Sequence, residues 1–359
     1  MRVLFITPQP VEGPSSRFRI YQFLPYLQAH GVRATVRPFL SSRLTPAIYR
    51  PGGLARKVAF TLWASAWRLL DVLRSTRYDV VWILREAYPF GPPWLERALL
   101  AGSGRMVFDF DDAIYLPSIA YLNPLDRLRD FDKPAQLIGM ASRVVAGSDH
   151  LRNYALQFVR GAPRVTVIPT VVDTDEYRPA SPRPPAGRCV IGWIGTPRGS
   201  SYLRSLVDVM AELVRSAPQV CFKFVGADPF DAGSLPIEFK AWRLEDEVKD
   251  LQSFDIGIMP LTDDEETRGK CGFKLIQYMS VGIPVVCSPV GANLTIVESC
   301  GNGFFASTPT EWFTGLDRLA KDAQLRRALG CRGRLLAQAR YSLASAAPRM
   351  LEVLREAVL

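Results

Sequence analysis

Four short stretches hold residues whose types and spacing suit chemistry on a charged substrate. Asp109-Phe110-Asp111-Asp112 sets three carboxylates at the end of an apolar run. Acids this close resist joint burial as anions, so they are expected to face a cation, a hydroxyl or a cleft. A helix cap at Asp112 or an Asp-based turn is the plainer reading, and a divalent-metal clamp is a weaker one, since no second ligand set accompanies it. Ile191-Gly192-Trp193-Ile194-Gly195-Thr196-Pro197 reads as a strand entering a glycine turn and then a helix, where backbone N–H groups can approach phosphate. Arg268-Gly269-Lys270-Cys271-Gly272-Phe273-Lys274 places cations and glycines before a helix running to Gly282-Ile283-Pro284. Cations with free amides at a helix start suit a leaving diphosphate, and a solvated basic loop is the alternative. Val290-Gly291-Ala292-Asn293 follows an apolar run and offers a second backbone site for phosphate.

These residues need a scaffold. Strand-like runs occur at Val3–Ile6, Ala34–Val36, Val80–Leu84, Met106–Phe110, Arg143–Ala146 and Val165–Ile168, with a helix expected over Arg17–Ala29. The pattern restarts with strands at Cys189–Ile194, Cys221–Val225, Ile256–Met259 and Val285–Ser288, and a helix from about Tyr202. Such alternation predicts α/β architecture with parallel sheets. The proline-rich stretch Arg178–Gly187 reads as a stiff linker. Two doubly wound domains are thus expected, residues 1–178 and 188–335, with a helix over 341–359 packing back on the first. Ligands of open α/β sheets bind beyond the carboxyl ends of the strands, so the chemistry is expected in a cleft between the domains.

Composition narrows the classes. The two histidines, His30 and His150, exclude mechanisms built on several histidines. The six cysteines all lie in the second half without a C-x-x-C pair, which argues for reduced thiols in the cytosol rather than a zinc site or disulfide framework. No run of about 20 apolar residues suggests a spanning helix. The start of the chain reads as a strand rather than a signal peptide. Residues 1–180 hold 23 Lys/Arg against 15 Asp/Glu, and the remainder 21 against 20, so the net charge of +9 divides as +8 and +1. A basic first half suits a polyanion such as a phospholipid surface, a lipid diphosphate or nucleic acid; a merely soluble basic surface is the alternative. Leu54–Leu73 interleaves Arg56, Lys57 and Arg68 with Trp63, Trp67 and leucines. That pattern fits peripheral membrane contact or a helix packing its aromatic face on the sheet.

Taken in order, these positions resemble the group 1 class of retaining glycosyltransferases (family 4), which have the GT-B fold of two Rossmann-like domains. Ala141–Ser148 is similar to "ADRVIAVS", Val165–Asp173 to "VxVIPNGVD", Val225-Gly226-Ala227 to "hvGxG", Phe254–Leu261 to "aDhhvhPS" and Gly272–Val286 to "FGxxxxEAmaxGxPVV". The last three together are quite specific. The resemblance also has departures. The two glutamates usual in the family are replaced by Gly269 and Gln277, and its Arg and Lys after the glycine of the second domain's first strand are absent as a pair.

The resemblance implies a metal-independent hexosyl transfer with retention, from a nucleotide-diphosphate sugar as donor substrate and with no cofactor. Lys270 and Lys274 are expected at the diphosphate, together with Gly195, Thr196, Gly272, Phe273, Gly291 and Ala292. Lys270, Lys274 or Arg198 takes over the family's missing charge, and Gln277 is expected at the ribose. Asp111, aligned with the family's His-Asp, is expected beside the reacting sugar. Arg17, Arg19, Asp109 and Asp112 are placed on the acceptor side, with a helix-surface role equally open for the two arginines. Glu245-Asp246-Glu247 is expected merely to begin a helix. The acceptor is expected to be a glycan or lipid-linked molecule, and the location cytoplasmic, peripheral on the inner face of the plasma membrane. Competing readings are a non-catalytic subunit of the same fold, an oxidoreductase (whose G-x-G-x-x-G is missing at Thr7–Arg19) and, last, a nucleic-acid binder without a recognised module.

Overall fold

The computed structural model describes residues 1–42, 54–117, 127–159, 164–181, 187–297 and 301–359. They form two compact units, Met1–Thr170 with Ala346–Leu359, and Val171–Ser345. Part of the proline-rich stretch (182–186) and Cys300 lie outside the described residues. Residues 171–178, expected in the first domain, pack in the second unit. Val172 bridges Ser342, and Arg334 donates to the carbonyls of Thr174 and Tyr177. From Ala346 onward the last helix, Leu343–Val358, belongs to the first unit, where Arg143 pairs with Glu356.

The first unit holds six parallel strands: β1 (Arg2–Thr7), β2 (Arg33–Pro38), β3 (Val80–Leu84), β4 (Met106–Phe110), β5 (Arg143–Ala146) and β6 (Val165–Val167), ordered β2-β1-β3-β4-β5-β6. Strands β3 and β4 are buried along their whole length, as expected of parallel strands covered on both faces. The helix expected over Arg17–Ala29 is broken into Pro14–Arg19, a turn at Tyr21–Phe23, and Leu24–Ala29. Pro25 explains the break: it lacks an N–H to donate and its ring clashes with the preceding turn. The Leu54–Arg74 helix buries Phe60, Ala64, Arg68 and Asp71. Arg68 pairs with Asp71 at 3.0 Å and donates to the Ala87 carbonyl at 2.9 Å.

The second unit repeats the plan with β7 (Cys189–Ile194), β8 (Val220–Val225), β9 (Ile237–Lys240), β10 (Ile256–Met259), β11 (Val285–Cys287) and β12 (Gly303–Phe305), ordered β12-β11-β10-β7-β8-β9. The edge strands β9 and β12 were not expected from the sequence. The core packs Trp193, Leu213, Phe222, Phe224, Ile256, Ile258 and Leu316 between sheet and helices.

Order reverses between β7 and β10. These strands pair only at Ile256 with Ile191 and Gly257 with Gly192. Beyond that, Tyr278 from the Phe273–Ser280 helix fills the gap. Its hydroxyl accepts from the Ile194 N–H and donates to the Ile258 carbonyl, each at 3.2 Å. Burial pushes the phenol well above its usual range, keeping it a donor. A Cβ on Gly257 would lie 2.4 Å from this ring. Tyr278→Phe leaves two buried backbone groups without a partner. It is expected to cost about 1–3 kcal/mol, read from a shift in the urea unfolding midpoint.

Candidate active site

In a doubly wound sheet the ligand crevice opens where strand order reverses, beyond the carboxyl ends. In the second unit this point follows β7 and β10. Gly195 N donates to the Val225 carbonyl, and a Cβ on Gly226 would meet the Gly195 oxygen at 2.1 Å, so two backbone turns lie in direct contact. Gly226 adopts φ +77°, a conformation that glycine supplies without strain. Lys274, one residue into its helix, packs against Gly195: its Cε lies 2.9 Å from where a Cβ on that glycine would stand. Its ammonium sits 5.4 Å from the Trp193 ring centroid, within cation–π range.

Gly272 caps this helix at φ +64°, and the space of its absent Cβ borders Ile296, Asn293 and Ala292. A Cβ on Gly291 would meet the Arg268 carbonyl at 2.5 Å, so the loops after β10 and β11 also touch. Phe273 is half-buried and Thr196 exposed. The structure thus brings Gly195, Gly272, Phe273, Lys274, Gly291 and Ala292 to one edge of the sheet, with Thr196 beside Gly195.

Glu266, which the sequence reading did not single out, organises the remaining cations. Its buried carboxylate accepts from Arg198 at 2.7 Å and lies 3.9 Å from Lys270. Its placement four residues before Lys270 in a helical turn was the available signal. Gln277, expected at a ribose, is buried instead, with its amide nitrogen donating to Glu247 at 3.1 Å. Glu247 does stand at a helix start, yet its carboxylate is internal: it also accepts from Tyr177 at 2.5 Å and Trp242 at 2.7 Å. Hydrogen bonding in the interior, rather than the helix dipole, accounts for this glutamate.

In the first unit the order reverses between β1 and β3. Arg85, directly after β3, donates to Asp111 at 2.7 Å and to the Ser15 hydroxyl at 2.8 Å, and lies 3.7 Å from Asp112. Three loops, after β1, β3 and β4, therefore meet on one guanidinium. Arg85 has φ +63° and is the one non-glycine residue at positive φ among the described residues. Such strain persists only where surrounding contacts enforce it, and it clusters at functional sites. The sequence carried no signal for Arg85. Burial pushes the Asp111 carboxyl up, but Arg85 and Arg19 outweigh it and hold the group below its usual range.

Arg19 and Asp109, expected on the acceptor side, form a buried ion pair at 2.6 Å, with side chains 2% and 1% exposed. Arg19 also donates to the Ile168 carbonyl, and Trp82 donates to Asp109. Burial raises the Asp109 carboxyl, and Arg19 offsets this in part. Both side chains belong to the interior that supports β4, which corrects the acceptor reading. Arg17 is buried with its guanidinium 4.4 Å from the Phe18 ring centroid. Asp112 is partly exposed and accepts from the Ala113 N–H in a turn; no helix starts there. Among the described residues, no group of three His, Cys, Asp or Glu side chains is arranged to hold a metal ion.

Residues 18–176 match the family model described as Glycosyltransferase Family 4, and residues 188–322 match Glycosyl transferases group 1. The chain belongs to the group 1 glycosyltransferases. Solved structures similar to this glycosyltransferase include Anabaena HepE in complex with UDP and glucose (17% identity, TM-score 0.71, 99% of each chain). Others are a glycosyltransferase from Rickettsia africae (16%, 0.71, 99% of this chain and 98% of that one) and the sucrose-phosphate synthase of Thermosynechococcus elongatus (16%, 0.69, 99% and 98%). All share the GT-B fold with this chain. No curated protein matches the sequence.

Two outcomes are expected of this site. Arg85→Ala and Arg85→Gly both remove the guanidinium, but only glycine relaxes at φ +63°. The alanine variant should unfold at lower urea, by about 1 kcal/mol. For Asp111, the folded carboxyl titrates below its unfolded value, so its ion pair stabilises above that value and is lost as pH falls through the folded one. The stability advantage of wild type over Asp111→Asn should therefore stay constant above about pH 5 and shrink as the pH falls below the usual carboxylate value of about 4, compared by urea midpoints.

Proposed function

We propose that this glycosyltransferase moves a sugar from a nucleoside-diphosphate sugar to an acceptor hydroxyl with retention of configuration, and works at a membrane surface on a glycan or lipid-linked acceptor. The observation that carries the donor half is Lys274 packed against Gly195 at the reversal point of the second sheet. In this reading the pyrophosphate lies beside this ammonium at the amino end of the Phe273–Ser280 helix, where preorganised dipoles and charge stabilise the oxyanion that develops as it leaves. The anomeric carbon–oxygen bond to the diphosphate breaks, a bond to the acceptor oxygen forms on the same face, and the acceptor proton passes to the departing diphosphate. Lys270, with Arg198 on the shared Glu266, adds charge without a resident metal. HepE, crystallised with UDP and glucose, supports a uridine nucleotide as the first donor to test.

The Arg85–Asp111 pair belongs to the sugar and acceptor side in this scheme. Its carboxylate stays ionised because Arg85 and Arg19 face it. A silent, non-catalytic role has one observation in its favour: Gly269 offers no carboxylate, and Gln277 is buried away on Glu247. Hydrolysis of UDP-sugar by the purified protein separates these readings.

UDP is expected to raise the melting temperature by mass action, as much as about 2.7 kcal/mol at 100 times its Kd. Lys270→Ala and Lys274→Ala should each weaken the apparent affinity roughly tenfold, the loss of about 1.4 kcal/mol of charge interaction. If UDP, GDP and ADP all leave melting unchanged at about 1 mM, the donor reading fails.

A further inference from the structure

The Leu54–Arg74 helix is inside out. Its inward stripe carries the charged pair Arg68 and Asp71 beside Phe60 and Ala64. Its outward face carries Val58, Leu62, Trp63, Trp67, Leu69 and Leu73, with Leu62 66% and Leu73 74% exposed. No charged side chain lies between Lys57 and Arg74 except the two that are buried. The apolar stripe from Val58 to Leu73 runs about 24 Å at 1.5 Å per residue. Contiguous apolar surface of this extent on a protein marks an interaction site.

Charge says what covers it. The outward face itself carries no acid, and Lys57 stands at its amino end. The helix runs on through the turn Ser75–Arg77, and Arg77 there lines an open depression with Arg2, Arg33 and Tyr78. Three guanidiniums thus stand at one end of the stripe and Lys57 at the other. Tryptophan indoles on an apolar face flanked by cations match the layering of a lipid interface, with acyl chains beneath and phosphates at the rim.

We infer that this helix face and the Arg2–Arg33–Arg77 depression form a docking surface for an anionic phospholipid bilayer. The inference rests on the membrane-surface part of the proposed function and is independent of the transfer step. Its placement suits a lipid-linked acceptor. Phe60 packs edge-on against Phe39, and Phe39 against Tyr88; these two residues follow the carboxyl ends of β2 and β3, the edge that carries Arg85. The docked helix therefore reaches from that edge of the sheet to the arginines near its amino edge.

The test is sedimentation of the full chain with vesicles of phosphatidylcholine alone or with roughly 30 mol% phosphatidylglycerol. Wild type should partition at least tenfold more strongly onto the anionic vesicles. A variant carrying Leu62→Gln, Trp63→Gln and Leu69→Gln should lose binding to both, while Arg33→Gln with Arg77→Gln should lose the anionic preference and its salt dependence. These side chains are on the surface, and an unchanged melting temperature and UDP-induced shift confirms that the variants are folded. Wild type left in the supernatant, or the glutamine variant pelleting as wild type does, overturns the proposal. So does a wild-type dimer in size-exclusion chromatography that the glutamine variant converts to monomer without vesicle binding, which assigns the face to a second copy. Absent vesicle binding with UDP stabilisation intact removes the docking surface and leaves the transferase reading standing.

Discussion

The Tyr278 hydroxyl is the contact on which the second unit's site depends. Parallel strands on either side of an order reversal send their crossovers in opposite directions, so β7 and β10 part after two paired residues. Parting strands leave backbone donors and acceptors facing each other across a gap, which a buried sheet cannot leave unsatisfied. The phenol answers one of each, at Ile194 and Ile258. The same helix begins at Gly272 and projects Lys274 beside Gly195. Fixing the tyrosine therefore also fixes the lysine one turn earlier.

The two units handle charge differently. In the first, ionised groups are locked in pairs: Arg19 with Asp109 deep under the sheet edge, and Arg85 with Asp111 above it. A paired buried charge is stable only while its partner stays, since losing one member leaves the other desolvated. This makes the acid cluster 109–112 a layered object in which Asp109 lies deepest, Asp111 is held by Arg85 above it and Asp112 is the most exposed. In the second unit a single buried carboxylate, Glu266, serves two cations at different distances, and both remain partly exposed. One anion is thus shared between Arg198 and Lys270, and neither cation is fully neutralised by a partner of its own.

Strands β3, β4, β5, β7 and β10 were legible residue for residue, because strands covered on both faces must be mostly apolar along their length. The edge strands β9 and β12 were not, since half-exposed short runs carry no such constraint. Glycines announced the close-packed turns at Gly195, Gly272 and Gly291, where only a missing Cβ permits the observed approach. Arg85 could not be read, as its role comes from a backbone conformation and from loops distant in sequence. Glu247 begins its helix as expected, but the burial of its carboxylate under its partners was not legible. A local pattern of acids at a helix start is equally compatible with an exposed carboxylate and with one buried under Tyr177 and Trp242.

Periodicity gave the Leu54–Arg74 stripe but not the side it faces. What decides that is the backbone beneath. The Ala87 carbonyl lies beyond the end of β3, outside the ladder, and needs a donor. An apolar face laid over it would bury an acceptor without a partner, at a cost of about 1–3 kcal/mol. Arg68 supplies the donor, Asp71 compensates its charge, and the helix is thereby turned with polar residues inward. The leucines and tryptophans are left outward as a consequence of satisfying the sheet, and a sequence that retains so many of them there has a use for an apolar exterior.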